Sequence, residues 1–286
     1  MPRYRSVAVI GTGPSGVAAV KALGDEKVFN TIRVFDRRDR VGGIWIYDPV
    51  PDVFPNPGKQ QPQPRKIPAK LPQFTSPAPE DTTARTAAYD TLDSNVGAKA
   101  MAFTYKPFPI VNSPVSIERL GHGNPTRPLR TVAKYLEDIF QNYLHLASFN
   151  TTVERVEKKG DKWTLTLRRS GQVHHGKSLD YWWQEHFDAV VIASGHYNVP
   201  FIPSISGLEK GARAHPTKFE HSKSFRTQKD YVDKRVVVVG GNVSAADVVI
   251  DLHRIVKRAL CISRNEAQTR LFNSLGICQT LSASRH

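Results

Sequence analysis

The residues best suited to bind a ligand lie in a glycine-rich turn near the N-terminus. The turn, Gly11-Thr-Gly-Pro-Ser-Gly16, follows the apolar segment 6–10 and precedes the small and apolar residues of segment 17–23. The first glycine permits a tight turn, the second lets the backbone approach a pyrophosphate, and the third lets helix and strand pack closely. Free N–H groups and the dipole at a helix N-terminus attract phosphate oxygens. The pattern predicts a dinucleotide site with contacts from Gly11, Gly13, Pro14, Ser15 and Gly16.

An acidic residue follows the next apolar segment. Segment 31–35 reads Thr-Ile-Arg-Val-Phe, and Asp36 comes directly after it. A carboxylate about 20 residues beyond the glycines can accept hydrogen bonds from ribose hydroxyls. The alternative is an ordinary surface aspartate after a glycine-rich turn, but strand, turn, helix and acid occur here in the order of a βαβ dinucleotide-binding unit. This pattern does not indicate which dinucleotide binds.

A second glycine-rich turn repeats the arrangement near the C-terminus. A β-branched segment, 234–239, leads into Gly240-Gly-Asn-Val-Ser-Ala-Ala-Asp247 and a predicted helix from Ser244 through Leu252. Asn242 stands at the second glycine position; asparagine tolerates left-handed backbone angles, although its side chain is expected to crowd a pyrophosphate. Arg264 follows the next predicted strand and suits a 2′-phosphate, which favours NADPH over NADH. The alternative is a surface arginine on an arginine-rich chain.

Several further segments must supply the elements that position these turns. Segments 6–10 and 187–192 are short apolar runs that predict buried strands. Segments 149–156 and 163–167 alternate as strands, and segment 131–146 has helical spacing. With 286 residues, 40% hydrophobic and 23% charged, the chain is expected to be a soluble globular protein of one large or two ordinary domains. The predicted fold class is α/β.

Composition argues against several classes of function. The net charge of +14 could attract nucleic acid, acidic lipid or a dinucleotide, or could only aid solubility. Because the basic residues are scattered and no nucleic-acid motif occurs, we expect no nucleic-acid partner. No apolar run approaches the length of a transmembrane segment and no signal peptide is visible, so a cytoplasmic protein is expected. Cys261 and Cys278 form no C-x-x-C pair, and no metal or hydrolytic constellation is apparent.

Two further segments carry a resemblance to a known family. The sequence after Asp36 contains Gly42-Gly43-Ile-Trp45, which resembles the FAD-binding segment of two-dinucleotide flavoproteins. Segment 89–103, followed by Pro-Phe-Pro at 107–109, is similar to Y-x-x-L-x-T-N-x-P-K-x-x-M-x-F of the flavin-containing monooxygenases. Here Ser94 replaces the usual threonine, and Gly97 stands where proline is common. The chain most resembles the N-terminal part of a fungal-type dimethylaniline monooxygenase-like protein.

The resemblance implies roles for individual residues. Asn95 would lie beside the reactive face of the flavin as the catalytic residue. Further FAD contacts are implied for Asp36, Gly42, Gly43, Trp45, Ser94 and Val153, and NADPH contacts for Gly240, Val243, Ser244, Ala245 and Arg264. Val153 could equally be plain strand core. Ser194 replaces threonine in an A-T-G-H-Y-like segment, and His221 lies in an H-S-x-x-[YF]-R-like segment whose functional role is open.

The resemblance also implies an architecture and a reaction. It implies a two-dinucleotide-binding-domain flavoprotein, with a Rossmann-like FAD domain at 1–195 and an incomplete Rossmann-like NADPH domain at 196–286. The proline-rich interval of about 49–79 is expected to be an irregular insertion, either a tolerated surface loop or an active-site lid. NADPH would reduce FAD, and molecular oxygen would give a C4a-hydroperoxyflavin that oxygenates an amine nitrogen or a sulfide sulfur.

Three other functions are alternatives to this one. A disulfide reductase would require a cysteine pair after the first glycine turn, where none occurs. A Baeyer–Villiger oxygenase shares the G-G-x-W segment but fits segment 89–109 less well. Family members continue much further than 286 residues, so a truncated, catalytically inactive nucleotide-binding relative remains an alternative. The substrate and the oligomeric state are not indicated by the sequence.

Overall fold

The computed structural model describes residues 4–52, 65–79, 81 and 84–263, together with the backbone of 279–280. The chain divides into two compact units, Met1–Tyr47 with Lys59–Phe201, and Asp48–Gly58 with Ile202–His286. Each unit contains one of the two glycine-rich turns. The arginine predicted to bind a 2′-phosphate, Arg264, lies outside the described residues.

A parallel sheet forms the centre of the first unit. Its strands are β1 (Ser6–Ile10), β2 (Thr31–Phe35), β4 (Ala147–Ser148) and β8 (Ala189–Ile192), in the order β4-β2-β1-β8. Helix α1 (Pro14–Glu26) connects β1 to β2. The register places Val9 opposite Val34 and Val191, and Val9 and Val34 are fully buried. The predicted βαβ order is therefore confirmed.

The strand predicted at 187–192 is shorter and more exposed in the structure. Segment 187–192 was expected to be a single buried strand, but Phe187 ends the preceding strand and β8 begins at Ala189. Ile192 is 72% exposed. The reason is that β8 is the outer strand of this sheet, where among the described residues it pairs with β1 alone. A short apolar run has the same sequence pattern whether the strand is central or at an edge.

An antiparallel sheet completes the strand structure of the first unit. Its strands are β3 (Gln73–Thr75), β5 (Thr151–Lys159), β6 (Lys162–His174) and β7 (Lys177–Phe187), in the order β3-β7-β6-β5. The strand β3 belongs to the proline-rich interval and lies at the sheet edge, where proline neighbours are tolerated. Phe35 and Phe187 meet edge to face at 6.2 Å and join this sheet to the parallel sheet through a shared core cluster.

In the described residues, three helices lie between strands β2 and β4 in the sequence: α2 (Ala98–Met101), α3 (Pro114–Leu120) and α4 (Leu129–Phe140). The buried face of α4 includes Val132, Leu136 and Phe140. The predicted helix 131–146 continues only to Phe140 as an α-helix and then tightens into a 3-10 turn at Gln141–Leu146. Tyr143 and Leu146 in the 3-10 turn contact the same core as the residues of α4. Because the apolar spacing continues through both segments, the sequence did not show where the α-helix ends.

The second unit contains a smaller parallel sheet with the order β11-β10-β9, built from β9 (Arg235–Val239), β10 (Arg258–Ile262) and β11 (Gln279–Thr280). Its helices are α5 (Leu208–Ala214) and α6 (Val243–Leu252). Val249 and Cys261 are fully buried where α6 covers the sheet. Val237 and Val239 on β9 are 56% and 64% exposed, so the other face of this strand is open. In the described part of the chain, no helix is long and apolar enough to cross a membrane.

Candidate dinucleotide-binding site

Two glycines of the first turn are required by backbone packing. Gly11 has a φ of +104°, and a Cβ added there would lie 2.4 Å from the carbonyl oxygen of Ala193. A Cβ at Gly16 would lie 1.9 Å from the carbonyl oxygen of Gly11. The Gly11 N–H donates to the carbonyl oxygen of Phe35 at 2.8 Å, which fixes the turn against β2. These contacts bring α1 close to β1, as the spacing of the glycines predicts.

Gly13 leaves the start of α1 open. It is the N-cap residue of α1, and a Cβ added there would meet only the Cα of Gly43, at the ordinary contact distance of 3.5 Å. No side chain caps α1, and its first turn contains no acidic residue. The first turn of a helix carries N–H groups without intrahelical partners and a partial positive charge. This end of α1 therefore offers an anion a polar, uncrowded approach, which fits a pyrophosphate.

Asp36 orients the glycine turn. Its Oδ2 accepts from the Thr12 N–H at 2.7 Å and from the Thr12 hydroxyl at 2.6 Å, while Oδ1 accepts from the Arg38 N–H at 2.8 Å. Asp36 is only 8% exposed and Thr12 is fully buried. Because each carboxylate oxygen can accept two hydrogen bonds, Oδ1 retains acceptor capacity for a ribose hydroxyl. Sequence reasoning missed Thr12, whose only signal is a hydroxyl inside the glycine turn.

The Gly42-Gly43 turn packs directly on the first turn. Gly42 donates its N–H to the carbonyl oxygen of Thr12 at 3.1 Å. A Cβ at Gly43 would lie 2.7 Å from the Cα of Gly13. Gly42 and Gly43 have φ angles of +136° and +57°. Trp45 is partly buried against the main core cluster of the unit. The glycine pair thus permits a close approach between two backbone segments around the open end of α1.

The loop that carries Asn95 is held by its neighbour Ser94. Ser94 is 2% exposed; its N–H donates to the carbonyl oxygen of Arg127 at 2.8 Å. The Ser94 hydroxyl accepts from the Arg127 N–H at 3.0 Å and donates to the carbonyl oxygen of Val96 at 2.9 Å. Asn95 itself is exposed. The serine hydroxyl therefore fixes the loop and leaves the asparagine amide on the surface, where it can contact a ligand.

Tyr135 of α4 positions the segment that follows this loop. Its hydroxyl accepts from the Phe103 N–H at 2.9 Å and donates to the carbonyl oxygen of Lys106 at 2.5 Å. The ring stacks on Phe108 with centroids 3.8 Å apart. Burial raises the pKa of the Tyr135 hydroxyl, which keeps it protonated as a donor. The Pro-Phe-Pro segment is thereby attached to the helix that packs against α1.

Replacement of Gly97 with proline is expected to stabilise the protein. Gly97 has a φ of −66°, which matches proline, and its N–H makes no hydrogen bond within the described residues. Replacement of Gly97 with proline should raise the free energy of unfolding by about 0.4–1 kcal/mol by restricting the unfolded chain. Denaturant unfolding measures this change.

Two matched variants test the origin of that gain. Gly97→Ala adds the same Cβ, 3.3 Å from the Cβ of the exposed Pro125, without fixing φ. Gly121→Pro should be destabilising because Gly121 has a φ of +81°, which proline cannot adopt. A loss of stability in Gly97→Pro as large as in Gly121→Pro would contradict the argument.

Three other predicted residues have defined positions in the structure. Val153 on β5 is partly buried in the cluster that contains Phe35 and Leu167, so its backbone contact to adenine stays a prediction. Ser194 is exposed directly after β8. His221 accepts from the Lys223 N–H at 3.1 Å through Nδ1, which caps a 3-10 turn. A functional role of His221 also stays a prediction.

The second glycine turn is built like the first but differs at one residue. Gly240 has a φ of +150° and donates its N–H to the carbonyl oxygen of Ile262 at 2.9 Å. Asn242 has a φ of −118°, so it does not use the left-handed angles that asparagine tolerates. The physical reason is that Asn242 is the N-cap residue of α6, where extended angles are usual. Val243 and Ser244 are exposed, whereas Ala245 is buried beside Gly240.

A cavity of about 310 Å³ lies in the second unit and is lined in part by Asp52, Glu220 and Tyr231. The Tyr231 hydroxyl donates to Glu220 at 2.6 Å, and burial together with this carboxylate raises the pKa of Tyr231.

The buried Lys223 forms an ion pair with Asp52, and the Ser224 hydroxyl donates to the Asp52 carbonyl oxygen at 3.0 Å. The H-S-x-x-F-R segment therefore anchors residues near Asp52, a partner that sequence reasoning missed. No group of side chains among the described residues could hold a metal ion.

Comparisons with known proteins agree with these features. The model of the family described as flavin-binding monooxygenase-like matches residues 73–272. The chain is 31% identical over 263 residues to flavin-containing monooxygenase FMO GS-OX5 of Arabidopsis thaliana, covering 91% of this chain and 49% of that protein. It is 29% identical over 282 residues to flavin-containing monooxygenase iboF of Amanita muscaria, covering 87% of this chain and 50% of that protein.

Solved structures show the same likeness. S-allyl-L-cysteine S-oxygenase from Allium sativum matches with a TM-score of 0.63 and 26% identity, over 92% of this chain and 51% of that one. Tmm from Pelagibacter matches in fold with a TM-score of 0.64 at 22% identity, over 91% of this chain and 51% of that one. The chain spans about half the length of the curated relatives that it matches. From the family match and the identity to its relatives, the chain belongs to the flavin-binding monooxygenase-like family.

Proposed function

We propose that the first unit binds FAD, that the second unit binds NADPH, and that the protein uses both to oxygenate a soft nitrogen or sulfur nucleophile. The observation that carries the proposal is the open N-terminus of α1 beside Gly13, with Asp36 fixed next to the turn by Thr12. An anion-attracting helix end next to a carboxylate is the donor and acceptor set that a dinucleotide requires. Membership of a flavin-binding family makes FAD the dinucleotide of choice.

Residues of this chain would bind and orient the cofactors. The first-turn N–H groups of α1 would hold the pyrophosphate, and Oδ1 of Asp36 would accept from a ribose hydroxyl. The amide of the exposed Asn95 would orient the reacting groups, because the buried Ser94 holds its loop in place. Bound FAD and NADPH would supply the electron transfer and oxygen activation, which is cofactor chemistry.

The substrate class is proposed to be a sulfide in preference to an amine. The similar protein from Allium sativum is an S-oxygenase by its description, and it is 26% identical over 92% of this chain. Methyl phenyl sulfide and N,N-dimethylaniline are suitable probes because they present sulfur and nitrogen nucleophiles of comparable size. Faster formation of the sulfoxide than of the N-oxide would support the sulfide proposal, and the reverse ratio would contradict it.

An absorbance spectrum of the purified 286-residue chain, with and without added FAD, tests the cofactor proposal. We expect flavin bands near one equivalent and oxidation of NADPH in air. A Gly13→Ala variant serves as the matched control, because its Cβ would block the approach to α1 while making only an ordinary contact within the protein. A wild-type chain that stays colourless with added FAD would overturn the proposal for this chain and favour a catalytically inactive relative.

A further inference from the structure

The two glycine turns begin their helices in the same way. Gly13 is the N-cap residue of α1 with φ and ψ of −71° and −176°, and Asn242 is the N-cap residue of α6 with −118° and −175°. Neither helix has an acidic residue in its first turn. Both N-cap residues are therefore extended, and the two caps differ in the side chain of Asn242.

That side chain occupies the end of its own helix. The Oδ1 atom of Asn242 accepts from the Val243 N–H at 2.8 Å. In the first turn, Pro14 stands at the position of Val243. Pro14 follows a glycine and has no N–H that a side chain could cap. A carboxamide oxygen is the negative end of a dipole, and it lies where the partial positive charge of the helix attracts an anion. A pyrophosphate that approaches α6 must displace this oxygen, whereas at α1 it meets no capping side chain.

We propose that Asn242 is an intramolecular cap that competes with the dinucleotide pyrophosphate for the N-terminus of α6 and so weakens binding at the second site. This inference rests on the proposed binding of NADPH by the second unit. The Asn242 hydrogen bond must break before the phosphate can bind. The free energy lost with this bond offsets part of the free energy gained from the bond to the phosphate, so the affinity is lower. Asn242 is thus a residue that sets the affinity of this site.

Replacement of Asn242 with glycine tests the proposal in the full 286-residue chain. We expect calorimetric titration with NADP⁺ to show binding about two- to tenfold tighter than wild type, the range that one net hydrogen bond supports. Asparagine and glycine are both accepted at helix N-caps, so the variant should fold. FAD affinity should be unchanged because Asn242 belongs to the second unit.

A reciprocal variant in the first turn provides the matched comparison. Gly13 has angles that any residue adopts, and its added Cβ makes only a 3.5 Å contact. Gly13→Asn combined with Pro14→Val supplies both the capping oxygen and the N–H that Pro14 lacks. This double variant should weaken FAD binding more than Gly13→Ala combined with Pro14→Val, which adds a Cβ without a cap. Equal FAD affinity in these two double variants would contradict the competition argument.

The remaining outcomes separate this inference from the proposed function. Unchanged NADP⁺ affinity in Asn242→Gly would overturn the inference alone. Weaker binding would also overturn it, because Asn242 would then donate to the phosphate through Nδ2. If neither the wild type nor Asn242→Gly binds NADP⁺ while FAD binds normally, NADPH binding by the second unit fails and the inference falls with it.

Discussion

Replacement of Gly16 with alanine is expected to distort the first glycine turn and abolish FAD binding. The new Cβ would lie 1.9 Å from the carbonyl oxygen and 2.8 Å from the carbonyl carbon of Gly11. Gly11 cannot move away freely. Its N–H donates to the carbonyl oxygen of Phe35, and the carbonyl group of Ala193 lies against the side where a Cβ would stand. Relief must come from separating α1 from β1. We expect a loss of about 3 kcal/mol in the free energy of unfolding, the upper end of the usual cost of overpacking.

The matched variant Gly13→Ala separates damage to the protein from damage to the ligand site. Its Cβ would meet only the Cα of Gly43 at 3.5 Å, so the variant should unfold at nearly the same denaturant concentration as the wild type. Its flavin absorbance should still be reduced, because the methyl group occupies the approach to α1. A Gly16→Ala variant with wild-type stability and flavin content would contradict the packing argument.

The first βαβ unit was predictable because its signals are local. The run 6–10 coincides with β1 and the run 31–35 with β2, since each is a β-branched segment bounded by polar or glycine residues. The position of Asp36 after β2 was predictable for the same reason. The contact between Asp36 and Thr12 was not, because it depends on the parallel register of two strands that are distant in sequence.

Other features of the candidate site depend on tertiary context. Gly97 stands where proline is common in the family that the sequence resembles, and the structure gives it a φ of −66°, which is the proline conformation. Asparagine at position 242 was noted for tolerating left-handed angles, but Gly240 takes the positive φ and Asn242 caps α6 in an extended conformation. In both cases the residue type was correctly singled out, but neighbouring backbone decided its conformation.

A buried charge cluster illustrates what no sequence pattern indicated. Arg168 on β6 is 7% exposed, and its Nε and Nη1 donate to Glu154 at 2.7 Å and to Asp180 at 2.9 Å. Asp180 also accepts from the Ala78 N–H at 2.9 Å, and Glu154 lies 3.4 Å from the guanidinium of Arg65. The cluster therefore connects the end of the proline-rich interval to the antiparallel sheet. Charged residues in an alternating strand are normally interpreted as solvent-facing, which is why this connection was missed.

Replacement of Arg168 with methionine is expected to be strongly destabilising. The variant keeps much of the side-chain volume but leaves the carboxylates of Glu154 and Asp180 buried without their principal cation. Removing one partner of a buried ion pair costs about 3–5 kcal/mol, because the remaining charge is neither solvated nor compensated. Denaturant unfolding should show this loss. Limited proteolysis near Ala78 should become faster because Asp180, which accepts from the Ala78 N–H, is no longer held by Arg168.

Two comparisons establish that the loss comes from uncompensated buried charge. Lys134→Met removes a cation from an exposed pair with Asp138, whose side chains are 69% and 44% exposed, and should cost no more than about 1 kcal/mol. A triple variant, Arg168→Met with Glu154→Gln and Asp180→Asn, removes the unpaired charges and retains an acceptor for the Ala78 N–H. It should recover much of the stability lost by Arg168→Met alone, since a buried ion pair can often be replaced by neutral groups at little cost. A loss below about 1 kcal/mol in Arg168→Met, or no recovery in the triple variant, would show that packing rather than charge compensation sets the contribution of this cluster.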